Sequence, residues 1–363
     1  MPPSPNSQTT DAANPIKGRA AVLGLSLLVA LVVGVMIEKG ASQSDPDTFA
    51  HFSDWCEHQK NLDPATQHTV AVLLTVANTK DCDRANDILS STPGLDLSNQ
   101  QLEDLAPLAD LPQLVSVHLM GNQISDLSPL SALSELETLG LDDNQVSDLT
   151  PLSKLTKLST LYLGNNQVKD LAPLAQLSEL FELRLTGNAI SDLEALSQLT
   201  HLNNLELGGN QITNIEPLAN LDEVERLVLG GNTISELSPL SKMDHLSTLD
   251  LSESQISDAD LVALSELKNL RDLTLFNNQI SDVSALAKLT NLDALILQGN
   301  QISDVTPLAS LRNLSMLNLS RNNITNVAPL STLTQLKSLY LSDNPLCDRI
   351  DCSTDNPAQL IKH

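Results

Sequence analysis

Residues 114–135, LVSVHLMGNQISDLSPLSALSE, and residues 136–157, LETLGLDDNQVSDLTPLSKLTK, are two copies of one 22-residue unit. Leu119 and Leu141, Asn122 and Asn144, Asp126 and Asp148, and Pro129 and Pro151 fall at matching places in the two copies. The unit reads L-x-x-L-x-L-x-x-N-x-I-x-D-L-x-P-L-x-x-L-x-x. Followed outward in both directions, it recurs from about residue 92 to residue 346 and makes 12 coils. Its sixth position is always leucine, from Leu97 to Leu341, and its eleventh is always aliphatic, from Leu102 to Leu346. Self-similarity at such a period predicts a solenoid in which each coil buries its apolar side chains against its neighbours.

Each part of the unit has a physical role. The L-x-L alternation is a short strand with its leucines turned into the stack, and successive strands pair in parallel. The ninth position is asparagine in 10 of the 12 coils, among them Asn122, Asn144, Asn166, Asn300 and Asn344. Its amide both donates and accepts, so it can satisfy turn backbone that has no ladder partner. The aspartates at the thirteenth position (Asp126, Asp148, Asp170, Asp192, Asp282, Asp304) can cap the turn that follows. Prolines such as Pro129, Pro173 and Pro307 preset φ for that turn. So few residues favour 3-10 geometry over α. The expected fold class is an α/β solenoid with a parallel sheet on its concave face and 3-10 turns on its convex face. Residues 244–267 break the pattern: Ser254 stands in the asparagine column, and SDADLVALSEL is two residues longer than its counterparts. A true α-helical turn and a local change of curvature are expected there.

Upstream, Asp63 and Pro64 are an N-cap and a first helical residue, and Val70, Leu73, Leu74 and Ala77 follow at helical spacing. A second short helix would carry Ala85, Ile88 and Leu89. Residues 51–91 are thus a helical N-terminal cap, and 347–363 a C-terminal cap. Cys56 and Cys82 lie before the repeats, Cys347 and Cys352 at their end, and no cysteine lies between. The two pairs would stand about 50 Å apart, at about 4.8 Å per coil, which argues against a shared metal site. One disulfide in each cap, Cys56–Cys82 and Cys347–Cys352, is the simpler reading and implies an oxidising compartment. Free buried thiols are the alternative.

Residues 20–37, AAVLGLSLLVALVVGVMI, carry no charge, and as a helix they would rise about 27 Å. Lys17 and Arg19 precede them, which favours a cytoplasmic tail at 1–19, a transmembrane signal anchor at 20–37, a polar linker at 38–50 and translocation of everything beyond. A cleaved signal peptide fits less well, because Glu38 and Lys39 occupy the expected cleavage region. The expected localisation is a single-pass membrane protein with its repeats outside, or a secreted protein if cleavage occurs.

Only 2% of residues are aromatic and the net charge is −25. No basic run occurs after the first 19 residues, which excludes nucleic acid as a partner. No glycine-rich phosphate loop, zinc spacing or nucleophile–base pattern occurs, so neither cofactor, metal nor catalytic residue is assigned. Among the seven histidines, only His118 projects from the concave sheet. The partner-facing positions are those between and beside the strand leucines. There Tyr162, Glu182, Arg184, Glu206 and Arg226 make a mixed polar patch, and Phe276, Ile296, Met316 and Tyr340 step across successive strands as an apolar stripe. Aromatic and arginine side chains are the usual interface anchors.

The ISDLSPL segments, with their asparagine, aspartate and proline placements over residues 92–346, resemble the bacterial internalin family and its 22-residue SDS22-like unit. That resemblance implies a leucine-rich-repeat horseshoe with a helical cap and a concave sheet that binds a protein, in a bacterial envelope. No contact residue carries over, because the concave positions have no motif to match. The functional expectation is an exported, membrane-anchored binding module for a protein or a glycan, not an enzyme. The alternative is a cytosolic regulatory scaffold of an enzyme such as a phosphatase, which uses a similar repeat.

Overall fold

Val117, Leu119, Ile124, Leu127, Leu130 and Leu133 of one coil are all buried, and their counterparts in the other coils repeat the pattern along the stack. This is the computed structural model of the chain, and it describes residues 49–361. Twelve three-residue strands form one sheet in sequence order. They are β1 (Gly94–Asp96), β2 (Ser116–His118), β3 (Thr138–Gly140), β4 (Thr160–Tyr162), β5 (Glu182–Arg184) and β6 (Asn204–Glu206). The sheet continues with β7 (Arg226–Val228), β8 (Thr248–Asp250), β9 (Asp272–Thr274), β10 (Ala294–Ile296), β11 (Met316–Asn318) and β12 (Ser338–Tyr340). Every neighbouring pair is parallel and shifted by one repeat, as in Leu139↔Leu161 and Leu295↔Leu317. Short 3-10 turns such as Ser128–Ala132 and Thr306–Ser310 form the opposite side. The expected α/β leucine-rich-repeat architecture is therefore the one observed.

The asparagine column works as the chemistry of its amide requires. Asn144 Nδ2 donates to the Leu119 and Leu141 carbonyls at 2.9 and 3.1 Å, and its Oδ1 accepts from Ile124 N at 3.0 Å. One side chain thus joins two coils. The aspartate column also acts as expected: Asp148 Oδ1 accepts from Thr150 N at 2.8 Å and Asp304 Oδ1 from Thr306 N at 2.8 Å.

The residue just before the asparagine column has positive φ in all 12 coils, five times as glycine and otherwise as Asn99, Asp143, Asn165, Glu253, Asn277, Arg321 or Asp343. Where the asparagine is missing, at Gln100 and Ser254, a second left-handed residue follows, Gln101 at φ 59° and Gln255 at φ 60°. There the next coil's asparagine accepts two bonds: Asn122 Oδ1 takes both Gln100 N and Leu102 N. A lost amide is thus replaced by a changed backbone.

The irregular eighth coil contains the α-helical turn expected of it, Leu261–Leu264, with Leu261 and Leu264 buried. Asp258, in the lengthened segment, accepts from Ser281 N and Asp282 N at 2.7 and 2.9 Å, so it braces the next coil.

The N-terminal cap has three helices where two were expected: α1 (Phe52–Glu57), α2 (Pro64–Val76) and α3 (Cys82–Ser90). α1 is too short to show helical periodicity in sequence. Its residues Phe52, Trp55 and Cys56 are buried, and the Trp55 indole donates to Asp110 Oδ2 at 2.6 Å. Asp63 caps α2 by accepting from Ala65 N and Thr66 N. Both disulfides, Cys56–Cys82 and Cys347–Cys352, are formed. At the far end the tail covers the last coil, where Leu339 N donates to Asp355 O at 2.8 Å and Leu360 is buried.

The single-pass membrane placement needs correction. No helix among the described residues is long and apolar enough to cross a membrane. The longest, α2, has 13 residues. It rises about 20 Å, short of a bilayer core of about 30 Å. The anchor assigned to residues 20–37 and the tail at 1–19 lie outside the described residues.

Candidate functional site

In each strand the central leucine or valine is buried and, Gly140 apart, the flanking residues are at least partly exposed, so the third, fifth and seventh positions of the coils form the outward face of the sheet. The polar patch expected on β4–β7 is assembled there. Arg184 Nη1 lies 2.9 Å from Asp142 Oδ2, and its Nε lies 3.1 Å from Glu206 Oε2. The guanidinium carbon sits 4.6 Å from the centre of the Tyr162 ring, within cation–π range. Arg226 shares Glu206 from the other side, Nε to Oε1 at 3.3 Å. Asn204 Nδ2 donates to Glu182 Oε1 at 2.9 Å.

Asp142 was not among the expected patch residues, yet it is the patch's buried element. Its side chain is 8% exposed, and its Oδ1 accepts from Gly164 N at 2.6 Å. A Cβ at Gly164 would fall 2.9 Å from that oxygen and 3.4 Å from Arg184 Cδ, so glycine is needed for the close approach. The signal for Asp142 was its place in the seventh column, which is otherwise rich in small residues. Burial disfavours the charge on Arg184, but the Asp142 and Glu206 carboxylates outweigh it and hold the guanidinium above its ordinary value. Burial, and after it the Glu182 carboxylate, pushes the Tyr162 phenol up.

The apolar residues lie in the expected diagonal register. Ile296 pairs with Thr274, two residues before Phe276, while Met316 pairs with Ala294 and Tyr340 with Asn318. Phe276 and Ile296 are half-buried; Met316 and Tyr340 are exposed to 38% and 37%. Phe181, at 53% exposure beside the start of β5, is an exposed aromatic the sequence reading passed over.

Below the stripe, at the N-terminal edge of β8–β11, runs a polar groove whose lining includes His245, Asn269, Arg271, Asp272, Asn291, Asp293 and Asn313. The three asparagine amides donate inward, Asn269 to Asp244 O at 2.7 Å, Asn291 to Lys268 O at 2.8 Å and Asn313 to Thr290 O at 2.9 Å. His245 Nδ1 faces Asp222 O at 2.7 Å, so that nitrogen carries the proton.

Ser116 Oγ and His118 Nε2 stand 3.4 Å apart on the open sheet, and Asp96 on the adjacent strand is committed to Ser98. Among the described residues no group of three or more His, Cys, Asp or Glu side chains is placed to hold a metal ion.

The leucine-rich-repeat family model in its two-copy form matches residues 94–132, 134–176, 178–220, 268–310 and 312–354, more than half of the chain. A second leucine-rich-repeat model matches residues 242–265, the irregular coil. An internalin from Listeria monocytogenes superposes with a TM-score of 0.71 at 32% identity, over 77% of this chain and 84% of that one. The chain belongs to the leucine-rich-repeat family, in its internalin-like branch. This internalin-like protein also shares its fold with a leucine-rich-repeat protein of Leptospira interrogans, at a TM-score of 0.61 and 24% identity, over 72% of this chain and 80% of that one. The HAESA receptor-kinase ectodomain of Arabidopsis, crystallised with a peptide hormone ligand, matches at a TM-score of 0.57 and 25% identity, over 69% of this chain and 46% of that one. No curated protein matches the chain by comparison.

Proposed function

We propose that this internalin-like protein is a binding module whose concave sheet docks a protein ligand, with Tyr162, Arg184 and Arg226 as a preset polar patch and Phe276, Ile296, Met316 and Tyr340 as apolar anchors. The observation that carries the reading is the stripe itself. In a chain with 2% aromatic residues, large apolar side chains stand on the outward face of adjacent strands rather than in the core, Phe276 and Ile296 half-buried and Met316 and Tyr340 exposed. Exposed apolar area of this kind favours association when a complementary surface covers it. The polar patch adds pre-organisation, because Arg184 is already oriented by Asp142 and Tyr162 before any ligand arrives. An ectodomain of this fold crystallised with a peptide hormone ligand supports a role in binding a protein or peptide. The two disulfides support an exported protein working in an oxidising compartment.

A photo-crosslinking amino acid placed at Phe276 or Arg184, and separately at convex Val262, tests this. Protein adducts at the two concave positions and none at the convex one are expected. Equal yields on both sides would contradict the assignment.

A further inference from the structure

Behind the sheet, three hydrogen bonds tie each coil to the one before it. Between the sixth and seventh coils Asn232 Nδ2 donates to Leu207 O at 3.0 Å, Asn232 Oδ1 accepts from Ile212 N at 3.0 Å, and Thr233 N donates to Ile212 O at 3.1 Å. Between the eighth and ninth, Asn278 and Gln279 make the same three bonds to Leu251 and Ile256. The later coil's asparagine makes its two bonds at every other junction as well, save one. The exception lies between the seventh and eighth coils, where Ser254 stands in the asparagine column. There Ser254 Oγ donates to Ser252 O of its own coil, and among the described residues neither Ile234 N nor Ile234 O has a hydrogen-bond partner. Ile234 is half-buried, while every other residue of the eleventh column is buried.

The changed backbone of the eighth coil mends only its forward side. Asn278 Oδ1 takes both Ser254 N and Ile256 N, and Asp258 binds Ser281 N and Asp282 N. The coil is thus fastened to the ninth and left loose from the seventh. What joins it backward is the sheet, with Leu229 N to Asp250 O at 2.8 Å and Gly231 N to Ser252 O at 2.7 Å, and the sheet's N-terminal edge, where Asn269 Nδ2 donates to Asp244 O. A solenoid is held by nearest-neighbour terms, so it yields first at the junction that lacks bonds present at the others. We infer that the joint between the seventh and eighth coils is a hinge, with the sheet as its axis, that divides the concave face into two arms. The polar patch of Tyr162, Arg184 and Arg226 lies on the arm before β8, and the stripe of Phe276, Ile296, Met316 and Tyr340 on the arm that begins with it. On the concave-face reading, a ligand that touches both arms sets the angle between them, and one that touches a single arm leaves it free.

The test is a distance measurement on the full chain without ligand, so it stands apart from the concave-face reading. All four cysteines are in disulfides, and introduced cysteines can therefore carry spin labels selectively. The pair Glu194→Cys/Ser284→Cys spans the joint, and the pair Ser128→Cys/Glu216→Cys spans as many coils within the first arm. All four positions are exposed and match one another in the repeat. Double electron–electron resonance should give a distance distribution about twice as wide across the joint as within the arm. Replacing residues 246–269 by the regular coil of residues 292–313 restores the asparagine and should narrow the first distribution to the width of the second. A single asparagine at position 254 does not, because Gln255 at φ 60° sets a different turn. Equal widths for the two pairs in the chain with its own eighth coil would overturn the hinge, as would a width across the joint that the regular coil leaves unchanged.

Discussion

Arg184 reaches back across two coils to Asp142, 42 residues earlier in the chain, and the pair meets at 2.9 Å. The relationship joins β5 to the coil of β3 and passes over Gly164 of the coil between them. Asp142 is the more buried partner, so its removal costs more than the ion pair alone suggests. Asp142→Ala leaves Gly164 N–H without its acceptor and should destabilise the fold by about 1–3 kcal/mol in urea unfolding. Arg184→Ala should cost less, about 0–1 kcal/mol, because its side chain is 35% exposed and solvent screens it. Equal losses in the two variants would mean that the ion pair, not the backbone bond, dominates.

The asparagine ladder predicts an effect that recurs from coil to coil. Asn210 donates to the Leu185 and Leu207 carbonyls at 2.9 Å each and accepts from Ile190 N at 3.1 Å, all within the buried stack. Asn210→Ala should lower the unfolding free energy by about 1–3 kcal/mol. Ser254→Asn should gain little, because Gln255 already holds the left-handed backbone that replaces the amide in that coil.

Arg321 adopts φ 58° where five other coils have glycine. A side chain in that region carries a strain of about 1–2 kcal/mol, partly offset by the greater unfolded-state entropy of glycine. Arg321→Gly should therefore raise stability by up to about 1 kcal/mol in urea melts, whereas Gly209→Arg in the same column should lower it.

The capping aspartates predict an acid limit to stability. Hydrogen bonding to Thr150 and Thr306 holds the Asp148 and Asp304 carboxyls below their ordinary value. A depressed folded pKa means that the contribution is fully present above the unfolded value of about 3.9 and is lost as pH falls through the folded one. Urea midpoints of the native chain should therefore drop below about pH 4. The double variant Asp148→Asn/Asp304→Asn should drop less. Asn214 and Asn326 already fill this column and accept the same bond, so the variant keeps the cap without the titration.

How much of this could be read in the sequence follows from the range of the interactions. The leucine, asparagine and aspartate columns recur within one unit, so a single coil reveals the solenoid, the ladder and the caps. The stripe of Phe276, Ile296 and Met316 was also legible, because the parallel register moves by one repeat per strand. The Asp142–Arg184 contact was not, since it depends on which neighbour in the seventh column lacks a side chain. The left-handed residue of each coil had a signal that was missed, because ten of its twelve places hold glycine, asparagine or aspartate, the residues that adopt positive φ most readily; Glu253 and Arg321 obscure it. α1 was hidden because six residues are too few for a helical period to show.

The central claim is that the stripe binds and does not pack. The direct measurement is the affinity of Phe276→Ala for the ligand captured at the concave face, taken together with the variant's melting temperature. A loss of about 1–3 kcal/mol in binding with an unchanged melting temperature is the predicted result. Normal binding with a markedly lower melting temperature would make Phe276 a packing residue and contradict the account.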